Sequence, residues 1–181
     1  MNKAIFLDRD GTINVEKNYL FKIEEFEFLD GVVDGLKKLS DAGFLLIIVT
    51  NQSGIGRGYY TEDDYYQLRD YINGKLEEYN VKITAEYFCP HLIDAKIKKY
   101  AIECGCRKPK LGLFERAIEE FDIDVNASYA IGDKIRDLEI AKSCAKGFLV
   151  YDKEKKYNGE NGIISIAGGI DEAADLILNN L

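Results

Sequence analysis

The chain has 181 residues, 46% of them apolar and 31% charged, with 12 Tyr, 9 Phe and a net charge of −8. A chain of this length can bury a core without staples, and this composition excludes fibrous and disordered classes. The longest wholly apolar run, residues 44–49, is far shorter than the ~20 residues that cross a bilayer, and the acidic balance argues against a phosphate-backbone ligand.

No nucleic-acid or membrane partner is therefore expected, although a local basic pocket for a small phosphorylated metabolite remains compatible with the charge. The first ten residues turn acidic by Asp8 and contain no apolar signal core. A cytoplasmic monomer is expected. Four cysteines in such a chain point to metal binding or packing before disulfides.

In chain order, residues 4–7 read as a short buried strand. Val32, Val33, Leu36, Leu39 and Ala42 share one helical face, and Gly43 stands where a helix stops. Residues 44–49 form a continuous apolar run, as a parallel strand covered on both faces requires. Thr61 and Asp64 have capping-box spacing. Behind them Tyr65, Leu68, Ile72, Leu76 and Tyr79 step by three and four along a long amphipathic helix. Strands are predicted at 83–88, 129–131 and 148–150, and helices at 113–121, at 135–144 and from a cap at Asp171 through residue 178. This alternation predicts an α/β fold, Rossmann-like, with a mostly parallel sheet and helices on both faces. Ligands of such sheets bind beyond the carboxyl ends of the strands. The polar clusters fall there, Asp8 after the first strand, Thr50 after the second and Asp133 after a later one. Residues 89–109 fit no regular element and form a long excursion of the kind that carries function or a metal.

Asp8-Arg9-Asp10-Gly11-Thr12 places two carboxylates past a strand end, where both can face a small hard cation such as Mg²⁺. An acidic loop of no special role is the competing reading. Thr50-Asn51-Gln52-Ser53-Gly54-Ile55-Gly56-Arg57-Gly58 offers backbone N–H groups to an anion, or is a flexible turn; it lacks the Gly-Lys-Ser/Thr of a P-loop. Arg107-Lys108-Pro109 supplies two cations able to fix a phosphate. In Gly132-Asp133-Lys134-x-x-Asp137, the carboxylates four apart share a helical face, and Asp133 either completes the cation site or caps a helix. Cys89-Pro90-His91 followed by Cys104-Gly105-Cys106 contains the one His and three of the four Cys. That is a tetrahedral set for structural Zn²⁺, with a redox pair as the alternative. Cys144 reads as a core residue.

Taken in order, these motifs resemble the haloacid dehalogenase superfamily of phosphotransferases. LDRDGTIN, FEFLDGV, TNQSGIGRG, CPH…CGCRKP and GDK resemble more closely the D-glycero-D-manno-heptose 1,7-bisphosphate 7-phosphatase family. Its members have no separate cap domain and carry a zinc-stabilised loop. The chain departs from that family at Asn18, Leu92 and Leu111, which replace a common Gly, His and Pro.

The resemblance implies one phosphatase domain over residues 1–181 with a zinc loop at 89–109. It implies Mg²⁺ held by Asp8, Asp10 and Asp133, and Zn²⁺ held by Cys89, His91, Cys104 and Cys106. Asp8 is then the nucleophile, Asp10 the general acid and base, and Thr50 and Lys108 hold the phosphoryl group. Arg9, Glu16, Lys17, Asn18, Tyr19, Asn51, Gln52, Ser53, Arg107 and Lys134 are the expected substrate contacts. The expected substrate is a small phosphorylated sugar. Histidinol phosphate, transfer to an acceptor other than water, and an inactive zinc-binding module are the alternatives.

Overall fold

The structure is a computed structural model and describes residues 1–144, 146–151 and 164–180. Six strands form one sheet: β1 (Ala4–Leu7), β2 (Leu45–Asn51), β3 (Ala85–Cys89), β4 (Tyr129–Gly132), β5 (Lys146–Val150) and β6 (Ile164–Ala167). Their order is β3-β2-β1-β4-β5-β6, and every pairing is parallel. The helices are α1 (Val32–Asp41), α2 (Ser53–Arg57), α3 (Glu62–Glu77), α4 (Gly112–Glu120) and α5 (Ile170–Leu178).

Successive strand residues point to opposite faces, so each apolar strand feeds two cores. Ile5, Leu7, Leu46, Ile48 and Phe148 pack on one side with Leu36 and Leu39 of α1, Leu68 and Ile72 of α3 and Ile177 of α5. Ala4, Phe6, Ile47 and Val49 pack on the other with Leu113, Phe114 and Ala117 of α4. The chain leaves β1 in opposite directions toward β2 and toward β4. The crevice beyond the carboxyl ends of β1 and β4 is the topological switch point, where a ligand site belongs.

The capping box at Thr61 and Asp64 is present, with both reciprocal bonds made. Five local expectations change. The Gly-rich stretch after β2 is the short helix α2, because Gly56 lets it pack tightly: a Cβ there would lie 2.6 Å from the Pro90 carbonyl oxygen. Residues 135–142 form a 3-10 helix (Ile135–Lys142). Tyr79 lies past the end of α3 and is exposed, and Val81 takes the buried position instead. Gly169 precedes α5, leaving Asp171 in its first turn rather than at the cap. β6 is an additional edge strand, paired to β5 on one side only. Cys89 ends β3, and the rest of the excursion to residue 109 holds only a 3-10 turn, Lys98–Tyr100, as the absence of periodicity implied. Among the described residues no helix is long and apolar enough to cross a membrane.

Candidate active site

Asp8 leaves the end of β1 at the switch point with 8% of its surface exposed. Lys108 reaches it from the excursion. Its Nζ donates to Asp8 Oδ1 at 2.7 Å and to the Val49 carbonyl at 2.5 Å, and lies 2.9 Å from Asp137 Oδ1. Lys108 is placed by its backbone: its N–H donates to Asn51 Oδ1 at 3.0 Å, and Asn51 Nδ2 donates to its carbonyl at 3.2 Å. Burial disfavours the ammonium, but Asp8 and Asp137 outweigh it and hold Lys108 protonated. Burial and the Asp137 charge push the Asp8 carboxyl up, against the opposing pull of Lys108.

Asp8, Asp133 and Asp137 bring carboxylate oxygens within 4.8 Å of one another. Burial, then Asp8, pushes the Asp133 carboxyl up. Its Oδ1 is buried without a hydrogen-bond partner among the described residues, while Oδ2 lies 3.1 Å from Lys134 Nζ. An orphaned oxygen beside two further carboxylates fits a divalent cation, which supplies the charge those oxygens lack. Gly11 keeps the space open. Its φ is +87°, and a Cβ there would meet Asp133 Oδ2 at 2.4 Å.

Asp10 turns its carboxylate away from that cluster. It accepts from Gln52 Nε2 at 2.8 Å, Asn14 Nδ2 at 3.0 Å and Arg9 Nη2 at 3.0 Å. The Tyr60 hydroxyl donates to Gln52 Oε1, which fixes the amide so that Nε2 faces Asp10 and Thr50 Oγ1. The general-acid candidate is thus held by a layer of amides and one guanidinium.

A cavity of about 450 Å³ opens over these groups, within the range of small-molecule sites. Asp8, Asp10, Glu16, Asn18, Tyr19, Thr50, Asn51, Gln52, Ser53, Arg107 and Lys134 line it, as expected from the sequence. Two expected contacts do not line it. The Arg9 side chain is 1% exposed, paired to Asp10 and set over the Tyr65 ring, where it supports the site. Lys17 points outward, donating to the Glu25 carbonyl at 2.7 Å with Glu27 at 3.4 Å. Four lining residues had no assigned role: Arg57, Tyr60, Arg136 and Asp137. Arg57 and Asp137 sit within the motifs quoted above; Tyr60 and Arg136 carried no signal of their own.

Beside the cavity, Cys89, His91, Cys104 and Cys106 converge. Cys89 Sγ lies 3.6 Å from His91 Nδ1, 3.6 Å from Cys104 Sγ and 3.1 Å from Cys106 Sγ, and His91 Nδ1 lies 3.2 Å from Cys106 Sγ. The sulfurs are free thiols, too far apart for disulfides. Tetrahedral zinc with bonds of ~2.1–2.3 Å sets ligand–ligand distances of about 3.5–3.8 Å, so the donor set fits Zn²⁺ with a small expansion. Cys106 directly precedes Arg107 and Lys108, so closing this cluster fixes the segment that delivers the lysine. Cys144 is partly buried against the second core, as expected of a packing residue.

An aspartate at the switch point of a parallel sheet, gripped by a lysine and flanked by two further carboxylates, defines a phosphoryl-transfer site of the haloacid dehalogenase kind. Residues 3–156 match the family model described as polynucleotide kinase 3 phosphatase. The D-glycero-beta-D-manno-heptose-1,7-bisphosphate 7-phosphatase of Haemophilus ducreyi is 41% identical over 180 residues, covering 99% of this chain and 94% of that protein. Its counterpart in Escherichia coli K12 is 39% identical, covering 98% of this chain and 89% of that protein. The structure of D,D-heptose 1,7-bisphosphate phosphatase from B. bronchiseptica, complexed with magnesium and phosphate, superposes with a TM-score of 0.83 at 26% identity, covering 99% of each chain. The chain belongs to the haloacid-dehalogenase-like phosphatases, in the heptose 1,7-bisphosphate 7-phosphatase family.

Proposed function

We propose that the chain hydrolyses the C7 phosphate of D-glycero-D-manno-heptose 1,7-bisphosphate through a phosphorylated Asp8. The observation that carries this reading is the Asp8–Lys108–Asp137 grip beside Asp133, opening into a cavity that Asp10 also lines. Asp8 Oδ attacks phosphorus in line, forming an O–P bond as the bond to the sugar oxygen breaks. The sugar oxygen leaves with a proton from Asp10. Water then attacks the phosphoryl group, gives its proton to Asp10, and inorganic phosphate departs, restoring Asp8. Thr50 and Lys108 hold the phosphoryl oxygens, since positioning and charge stabilisation carry most of such catalysis. Asp8 and Asp133, with the Asp10 carbonyl, are the groups that would hold Mg²⁺. When bound, Mg²⁺ supplies positive charge against the phosphoryl oxygens.

Glu16, Asn18, Tyr19, Asn51, Ser53, Arg107 and Lys134 provide the substrate contacts, and Gln52 acts through Asp10. Zn²⁺ on Cys89, His91, Cys104 and Cys106 orders the loop at 89–109. Residues 1–181 are read as one phosphatase domain working as a cytoplasmic monomer on a small phosphosugar, with no nucleic-acid partner.

The test is phosphate release with Mg²⁺ from each anomer of heptose 1,7-bisphosphate and from histidinol phosphate, compared as kcat/KM. A preference for the heptose of 100-fold or more is expected. A preference for histidinol phosphate would keep the chemistry and overturn the substrate.

A further inference from the structure

Tyr59 and Tyr60 stand between two helix signals. Gly58 ends α2 with a φ of 76° and turns the chain, and Thr61 caps α3. Tyr59 faces outward at 56% exposure, while Tyr60 turns inward at 5%. The Tyr60 ring is fixed on several sides. It stacks on Phe21 at 5.3 Å and 15°, packs with Ile55, Tyr65 and Tyr100, and lies so near Gly54 that a Cβ there would overlap it. A ring held this firmly aims its hydroxyl in one direction.

That hydroxyl donates to Gln52 Oε1, and Gln52 is itself 2% exposed. Among the described residues no other group donates to this oxygen. Burial, against the opposing pull of Arg9, pushes the Tyr60 hydroxyl above its ordinary value of 10.0, so it stays a donor at any working pH. An amide has one accepting end and one donating end. With Tyr60 on Oε1, Nε2 faces Asp10 Oδ2 at 2.8 Å and Thr50 Oγ1 at 2.9 Å. The Asp10 carboxylate therefore meets a donor and not a second oxygen. Thr50 Oγ1 accepts from the amide, which leaves its own proton for a phosphoryl oxygen. Rotating the amide would set oxygen against carboxylate in a buried place, which is unfavourable.

We propose that Tyr60 is a positioning residue for protonation of the leaving sugar oxygen: through the Gln52 amide it sets the direction of the Asp10 carboxylate. Its hydroxyl is spent on Gln52, so it works through the amide and not on the substrate. This rests on the reading of Asp10 as the general acid of a sugar phosphatase. A sugar alkoxide leaves only with a proton, whereas a nitrophenolate leaves without one. A misdirected acid therefore shows as a difference between the two leaving groups.

The experiment measures kcat/KM with Mg²⁺ on heptose 1,7-bisphosphate and on p-nitrophenyl phosphate. The proteins are wild type, Tyr60→Phe, Gln52→Met, the double variant and Asp10→Asn. Tyr60→Phe keeps the ring and its stack on Phe21. It is expected to lower the sugar-to-aryl ratio by about 5- to 100-fold, the effect of leaving a buried acceptor without its donor. The loss on the sugar should lie in kcat. Gln52→Met should lower the ratio at least as far, and Tyr60→Phe should then add nothing in the double variant, because the path through the amide is already cut. An unaltered ratio in Tyr60→Phe would overturn the proposal, whether activity is untouched or falls equally on both substrates. So would a loss carried by KM on the sugar, or one that persists in full beside Gln52→Met, since either marks a direct substrate contact. Asp10→Asn tests the reading beneath: if it too leaves the ratio unaltered, Asp10 is not the general acid.

Discussion

Replacing Lys108 by Met tests the electrostatics of the site apart from its chemistry. Lys108 is 3% exposed and its ammonium faces Asp8 at 2.7 Å and Asp137 at 2.9 Å, with Asp133 in the same cluster. Met fills similar volume but removes the only cation among the described residues in contact with both Asp8 and Asp137. Breaking a buried pair by removing one partner costs about 3–5 kcal/mol, which for a chain of this size is a fall in Tm of roughly 6–20 °C. The loss depends on pH. Asp8 and Asp133 are already pushed above the ordinary 3.8, by burial first and then by neighbouring carboxylates. A carboxyl raised in the folded state binds more protons there than when unfolded, so stability falls as pH rises from about 3.8 through the folded value. Without Lys108 the folded values rise further, and the variant should lose more relative to wild type at pH 8 than at pH 5. Mg²⁺ should restore part of the loss, about 2.7 kcal/mol at 100 times its Kd. The assay is thermal melting of both proteins at the two pH values, in chelator and in Mg²⁺. A variant that melts within a degree or two of wild type in chelator at pH 8 would refute the charged buried triad.

Asp10→Asn should separate the two kinds of leaving group. A sugar alkoxide needs the proton, so kcat/KM on the heptose should fall by about 10²–10⁴. An activated aryl phosphate, whose phenolate leaves unprotonated, should lose less than about tenfold; equal losses would remove the general-acid role. Metal analysis should find about one zinc per chain, the stoichiometry of a closed four-ligand site. Stripping it should abolish activity, because Arg107 and Lys108 follow Cys106 directly. A zinc-free chain that keeps its activity would contradict the zinc assignment.

The sheet was legible because its strands are short apolar runs that bury both faces, and such runs leave few other foldings. β6 was not, since Ile164 and Ser165 are only partly buried, Ile166 is exposed, and among the described residues the strand pairs on one side. Nor was α2, where glycines that locally favour a turn are required by the close approach of Pro90 to Gly56. In the candidate site, Asp8, Thr50, Lys108 and Asp133 could be placed because each follows a strand end or a motif of fixed spacing. Arg9 shows the limit: it adjoins Asp8 and Asp10 in sequence, yet it packs beneath them against Tyr65. Whether a charged neighbour faces the cavity or the layer behind it is settled by tertiary packing, not by spacing. Asp137 shows the converse. It sits four residues beyond Asp133 on a 3-10 helix, and only the fold brings it to Lys108.

The central claim is that Asp8 becomes phosphorylated. The direct measurement is to quench the enzyme in acid during turnover of heptose 1,7-bisphosphate with Mg²⁺, reduce it with borohydride, digest it and read the peptides by mass spectrometry. An acyl phosphate on Asp8 is reduced to homoserine, and the account predicts homoserine at position 8 alone, dependent on substrate. Homoserine at another aspartate, or phosphate on a residue other than Asp8, would contradict it.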